Sequence, residues 1–267
     1  MAASAVQLRI TNNVATIALN RPEARNALTA QMIGDLADAI RSCQSGDVRA
    51  VLLTGSGDAF CAGADVRDFV DHLESGGPEG LSQHIREVAA KLHREVVLGL
   101  LRLEKPVVAA VNGVAAGAGF SLMLACDMRI AASSARFLMA YANIGATADG
   151  GSSYLLPRLV GAAKAIEIYL ASQPMSAEIA LQTGLVSQIC EKEKLEQHAL
   201  ETTARLAQGP TVAYGRVKAL FQRSWDTGIE DQLDAETREI SDIALTRDFQ
   251  EGIRAFAGKR QAWFQGI

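Results

Sequence analysis

The residues of this 267-residue chain best suited to chemistry lie in two glycine-containing turns, Phe60-Cys61-Ala62-Gly63-Ala64-Asp65 and Asn112-Gly113-Val114-Ala115-Ala116-Gly117-Ala118-Gly119-Phe120. Small side chains let a ligand approach the backbone. Amides at the start of a helix point outward with partial positive charge, so two such turns can aim two N–H groups at one oxygen. The chemistry would be stabilisation of an oxyanion, although tight strand-to-helix turns with no ligand share this composition. Gly117-x-Gly119 lacks the third glycine of a dinucleotide fingerprint. A third segment, Thr147-Ala148-Asp149-Gly150-Gly151-Ser152-Ser153-Tyr154, offers one acid. Asp149 can cap a helix beginning near Gly150 or act as a base. Ser121 lacks the G-x-S-x-G elbow of a hydrolase nucleophile, and none of the four histidines stands at a recognisable triad position.

The elements that must position these turns are readable from periodicity. Val6 to Ile10 and Val14 to Leu19 alternate around Thr11-Asn12-Asn13 and read as a hairpin. Met32, Ile33, Leu36, Ala37 and Ile40 place an apolar stripe on a helix that Thr29 can cap. Ala50 to Thr54, Pro106 to Val111 and Met128 to Ala132 are short apolar strands, with a buried helix expected over Phe120 to Cys126. Such alternation predicts an α/β fold with parallel strands. From about Glu191 amphipathic helices follow one another to the end, one starting at Gly209-Pro210. His72 to Gln83, with Gly76-Gly77-Pro78 and Gly80, is expected to be a flexible loop, which would leave His72 and His84 solvated and idle. Tyr154 and Trp225 read as packing residues.

Composition narrows the function classes. At 49% hydrophobic the chain can bury a full core, and its net charge of −4, from 26 basic and 30 acidic side chains, creates no field for nucleic acid. Cys43, Cys61, Cys126 and Cys190 are scattered, which suggests reduced thiols and predicts no metal site and no disulfide framework. The most apolar stretch, Pro106 to Ala118, is too short to cross a bilayer, so no membrane partner and a cytoplasmic setting are expected.

Six segments in order carry a resemblance: Asn20 to Leu28, Phe60 to Asp65, Lys105-Pro106-Val107 through Phe120, Ala125-Cys126-Asp127, Leu156 to Gly161, and Ala180 to Val186. Together they resemble the enoyl-CoA hydratase/isomerase, or crotonase, superfamily over nearly the whole chain. The resemblance implies a spiral of β-β-α turns over residues 1–200 that holds an acyl-coenzyme A thioester. Residues 201–267 would be a helical oligomerisation region, giving homotrimers or hexamers built as dimers of trimers. It further implies an oxyanion hole made by the backbone N–H groups of Ala64 and Ala118. Arg25, Ala62 and Asp65 would lie along the coenzyme, and Phe256 and Lys259 would reach its nucleotide from a neighbouring subunit. Coenzyme A arrives within the substrate, and no separate cofactor is implied.

The family pattern breaks where hydratases keep two glutamates. Those positions hold Ser121 and Tyr141, neither a general base near neutral pH. Family members that shift double bonds, rearrange rings or displace halide from aromatic thioesters place an aspartate where Asp149 stands. An isomerase base there would gain from apolar surroundings, which Phe120, Leu122, Leu138 and Ile144 could supply. The dehalogenases add a histidine before the Lys-Pro strand and a tryptophan, where this chain has Arg94, with His93 one residue away, and Tyr141. The reading that follows is an isomerase using Asp149. Behind it stand a hydratase using Asp65 or Glu95, a dehalogenase or thioesterase with Asp149 as nucleophile, and a non-catalytic coenzyme A-binding homologue.

Overall fold

A computed structural model of the protein describes residues 4–267. The chain begins with β1 (Val6–Thr11) and β2 (Val14–Leu19), joined through Asn12 and Asn13 at φ 51° and 63°. Both values are positive, as a two-residue type I′ hairpin requires, and asparagine tolerates them. The Thr29 hydroxyl accepts from Met32 N–H at 3.2 Å and starts α1 (Ala30–Ser42), whose apolar stripe is buried.

A repeating pattern then sets in. β3 (Ala50–Gly55) and β4 (Ala59–Cys61) lead to α2 (Val66–Lys91), a π-helical turn at Leu92–Val97, and α3 (Leu98–Arg102). β5 (Val107–Val111) and β6 (Val114–Ala116) lead to α4 (Ala118–Leu124). β7 (Met128–Ala132) and β8 (Arg136–Leu138) lead through a 3-10 turn at Tyr141–Ile144 to α5 (Ser152–Val160) and α6 (Ala162–Ala171). The first strand of each round joins one sheet, ordered β1-β2-β3-β5-β7-β10, and the second joins another, β4-β6-β8-β9, where β9 is Met175–Ser176 and β10 is Gln188–Cys190. Pairing among β2, β3, β5, β7 and β10, and among β4, β6 and β8, is parallel. This is the expected α/β spiral. All five residues of β5 are buried, as a strand covered on both faces must be.

After α7 (Ala177–Gln182), α8 (Leu195–Ala207) lies against the large sheet. The chain ends in α9 (Thr211–Arg223), α10 (Ile229–Ile243) and α11 (Arg247–Ala257). Lys218 and Gln222 tie α9 to the carbonyls of Leu100 and Leu101 at 2.8 and 2.9 Å. No helix among the described residues is long and apolar enough to cross a membrane.

The expected loop at His72 to Gln83 is instead helical. Gly77, at φ 66° and ψ −169°, breaks α2 and turns the chain back, with Pro78 restarting the helix. The two arms are clasped: the His72 and His84 rings stack at 3.6 Å, and His84 Nε2 meets Asp68 Oδ2 at 2.7 Å. Polar composition had hidden a helical hairpin, and these histidines are structural partners rather than idle ones. The glycine-dense turn at Asn112 to Gly119 likewise contains a strand, β6.

Burial raises the thiol pKa of Cys43 to about 11 and those of Cys61 and Cys126 to about 12. A thiol raised on folding contributes stability that is full below its unfolded pKa and is lost as pH climbs toward the folded value. Native protein at pH 8 should therefore leave these three cysteines unreacted with a disulfide reagent, and stability should fall through the alkaline range from about 9 upward. Rapid native labelling of all four cysteines would show that the core opens.

Candidate active site

The spiral brings the two glycine turns into contact. A Cβ on Gly119 would lie 2.2 Å from the Cys61 carbonyl oxygen, and one on Gly63 would lie 2.9 Å from the Ala116 oxygen and 3.4 Å from Ala118 N. Only hydrogen fits between the turns at these points. The Asn20 to Leu28 segment clips the first turn from outside. Ala62 N donates to Arg25 O at 2.9 Å, Leu28 N to Gly63 O at 2.7 Å, and Asp65 N to Leu28 O at 3.0 Å. Buried Asn26 donates to the carbonyls of Ser56 and Ala59. These bonds use the amides on either side of Ala64. Among the described residues neither Ala64 N–H nor Ala118 N–H, the latter opening α4, has an acceptor. Two free donors thus lie on adjoining turns.

Asp149 sits in the loop before α5, and its carboxylate does not cap that helix. Gly151 takes the N-cap position, while Asp149 Oδ1 meets His93 Nε2 at 2.6 Å. His93 belongs to the π-helical turn, where Leu98 N–H reaches back to His93 O, an i to i−5 bond that swells the helix and turns the ring toward the loop. Gly150 N also lies 3.3 Å from the same ring nitrogen. One nitrogen carries either a proton or a lone pair, and the shorter contact makes it the donor to Asp149.

The main chain of Asp149 is held from beneath. Its carbonyl accepts from Ser152 Oγ at 2.8 Å and lies 2.8 Å from Ser121 Oγ and 3.1 Å from Tyr141 OH; those two hydroxyls are 2.7 Å apart, so one gives its single proton to the other and the other donates to the carbonyl. Burial pushes the Tyr141 phenol well above its ordinary pKa, so it remains a donor. The carboxylate and His93 open onto a cleft of about 780 Å³ between the core and α9, walled by Val97, Leu98, Leu101, Leu155 and Trp225.

A family model described as enoyl-CoA hydratase/isomerase matches residues 9–266. The chain belongs to the enoyl-CoA hydratase/isomerase family. It is 38% identical to a Rhodobacter capsulatus protein named as a probable enoyl-CoA hydratase, over 98% of each chain. It is 36% identical to the 1,2-epoxyphenylacetyl-CoA isomerase of Escherichia coli, over 96% of this chain and 97% of that one. A crystal structure from Mycobacterium abscessus, provisionally described as an enoyl-CoA hydratase/isomerase, superposes with a TM-score of 0.93 at 34% identity, covering 98% of this chain and 100% of the other.

Within this enoyl-CoA hydratase/isomerase fold the other expected residues are dispersed. Arg25 is exposed and its side chain has no partner among the described residues, while its carbonyl holds Ala62. The Asp65 carboxylate is bound by both terminal nitrogens of Arg21 at 3.1 Å, and Glu95 pairs with Arg41 at 3.0 Å, so both candidate substitute acids are engaged away from Asp149. Phe256, at the end of α11, is 88% exposed, and Lys259 just beyond it is exposed as well. The apolar wall expected beside Asp149 is not the one found. Ile144 is 60% exposed, and none of Phe120, Leu122, Leu138 and Ile144 lines the cleft. Tyr154 and Trp225, read as packing residues, do pack edge to face at 5.4 Å, and both also line the cleft. Arg94 is exposed, and His93, its neighbour, is the residue that meets Asp149. Helical phase places neighbours on different faces, and the π turn, which sequence periodicity cannot register, decides which one points inward.

The Ser121 position is closed to a longer side chain. A Cβ on Gly150 would come within 2.7 Å of Ser121 Cβ. Ser121→Glu should therefore fail to install hydration. It would instead push out the Asp149 loop and lower stability by about 1–3 kcal/mol, measurable by urea unfolding. A stable variant that forms a 3-hydroxyacyl product would contradict this.

Proposed function

We propose that this enzyme is an enoyl-CoA isomerase that moves a proton along an acyl-coenzyme A thioester by means of Asp149. The observation that carries the reading is the Asp149–His93 contact at 2.6 Å over a cleft, with neutral Ser121 and Tyr141 where hydratases keep glutamates. In this reading the thioester oxygen accepts hydrogen bonds from Ala64 and Ala118. The Asp149 carboxylate takes the proton from C2 of a 3-enoyl thioester. The C2–H electron pair enters a dienolate whose negative charge rests on that oxygen. The same proton, now on Asp149, returns at C4, the C2–C3 bond becomes double, and the carbonyl re-forms. Atoms and charge balance without water. His93 steadies the carboxylate through its ring N–H.

Removing one oxyanion donor in comparable sites costs on the order of 100 to 1000-fold, so most of the acceleration is assigned to the two amides, and the base supplies a further factor of about 100 to 10,000. Arg25 and the backbone near Ala62 are assigned to the coenzyme, with Phe256 and Lys259 of a neighbouring copy closing on its nucleotide in a homotrimer or a dimer of trimers. The exposure of Phe256 supports that assembly.

The deciding test is a 3-enoyl-CoA and a 2-enoyl-CoA incubated in deuterated water, with product mass read for wild type and Asp149→Asn. Asp149-dependent bond migration with no water adduct is expected, deuterium entering the product only to the extent that the proton on Asp149 exchanges with solvent before it returns, and kcat should fall by about 100-fold or more in the variant. A 3-hydroxyacyl product would overturn it. Arg25→Ala should raise KM for acyl-coenzyme A with kcat little changed, because binding lost equally in ground and transition states appears only in KM. An unchanged KM would remove Arg25 from the coenzyme site.

The His93–Asp149 pair also favours a second reading, attack by Asp149 on an aromatic thioester ring with loss of halide, as in the family's dehalogenases. A covalent enzyme adduct in a single turnover with a halobenzoyl-CoA would mark that chemistry.

A further inference from the structure

We infer that the acyl site has two chambers, and that Trp225 at the neck between them selects for long, linear acyl chains. The inference rests on the reading that the Asp149 cleft receives the acyl group. Beyond that cleft a second cavity of about 370 Å³ lies under α9. The two share four wall residues, Leu101, Leu155, Gln222 and Trp225, so one begins where the other ends. The far chamber is lined by Leu124, Met128, Leu159, Leu206, Val217 and Phe221 among others, and charged groups at its wall are engaged, Asp127 with Lys218 at 2.9 Å and Arg129 with the Cys126 and Leu185 carbonyls.

The neck is built with care. Tyr154 and Trp225 meet edge to face, and the Arg158 guanidinium lies 3.6 Å from the Tyr154 ring centroid and 5.0 Å from that of Trp225. Arg158 is fixed by its bond to the Tyr154 carbonyl at 2.8 Å, and the Tyr154 hydroxyl by Asp226 at 3.2 Å. Meanwhile Lys218 and Gln222 pin the inner face of α9 at the two carbonyls of α3, which fixes the position of the helix over the cavity. Phe221 and Trp225 remain 67% and 40% exposed at this seam. An apolar chain threading from Asp149 past Trp225 would cover both, and a branched group would meet the fixed neck.

The test measures binding of saturated butyryl-, octanoyl-, dodecanoyl- and hexadecanoyl-CoA by calorimetry, which needs no turnover. Affinity should climb with chain length past octanoyl, by up to about fourfold per methylene. Val217→Trp, filling the far chamber from α9, should reduce the dodecanoyl-to-butyryl affinity ratio by about tenfold or more. Leu159→Phe fills the same space from α5 and guards against misfolding of the first variant. Affinity that is flat from butyryl onward, or a rise that both fillings leave untouched, would overturn the two-chamber site. Failure of the isomerase reading shows separately, as turnover indifferent to Asp149→Asn while the chain-length slope persists. Absence of binding by every acyl-coenzyme A would overturn both.

Discussion

The hydrogen bonds on the main-chain carbonyl of Asp149 are the constraint on which the site depends. Ser121 comes from the helix after the second glycine turn, Tyr141 from the 3-10 turn after β8, and Ser152 from the start of α5. All three place a hydroxyl within 3.1 Å of one oxygen. Three segments that need not otherwise agree on position are thereby fixed to each other and to the backbone of the one acid facing His93. A free loop bearing a carboxylate would pay conformational entropy of about 1–2 kcal/mol per residue each time it adopted a reactive pose. Here that ordering is completed on folding, and only the side chain has freedom left.

This latch explains why losing the two glutamates is not simply a loss. Hydroxyls at positions 121 and 141 are neutral, and burial keeps the Tyr141 phenol protonated. As a linked pair they donate to a carbonyl that carboxylates would repel. The substitution also vacates no space, since the Gly150 backbone closes against Ser121. In the proposed reading, the two positions expected to activate water in a hydratase serve as the mounting for a different acid.

Much of this was legible in the sequence because it depends on local chemistry. The hairpin followed from Asn12-Asn13, the first helix from Thr29 and its apolar stripe, and the contacting turns from glycines that no other residue can replace at 2.2 Å from a carbonyl. The family segments brought Ala64 and Ala118 into view together, and the expectation of an aspartate in the turn before α5 singled out Asp149. What stayed hidden depends on tertiary geometry. A glycine and a proline at Gly77-Pro78 mark a break equally well in a loop and in a helical hairpin, and only the stacked histidines distinguish them. The choice between His93 and Arg94 turned on one π-type bond. Trp225 lies far from Asp149 in sequence and joins the cleft only because α9 folds back over α3.

Electrostatics gives a reason for a site with a single acid. A dienolate places its negative charge on the thioester oxygen, next to whatever charges line the cavity. Two carboxylates about 5 Å apart at an effective dielectric of about 20 repel by about 3 kcal/mol, and a further anion formed between them raises that cost during the step meant to be fast. With Asp65 paired to Arg21, Glu95 to Arg41, and Asp226, the cleft's other acid, bonded by the Tyr154 hydroxyl, Asp149 is the carboxylate beside His93. In the proposed isomerase reaction Asp149 becomes neutral once it takes the proton, so charge would move from acid to oxyanion without accumulating. An arrangement of this kind favours returning the proton to carbon over adding water. Under the proposed reading a water molecule would need a second base, and Ser121 and Tyr141 are instead packed against the Asp149 main chain.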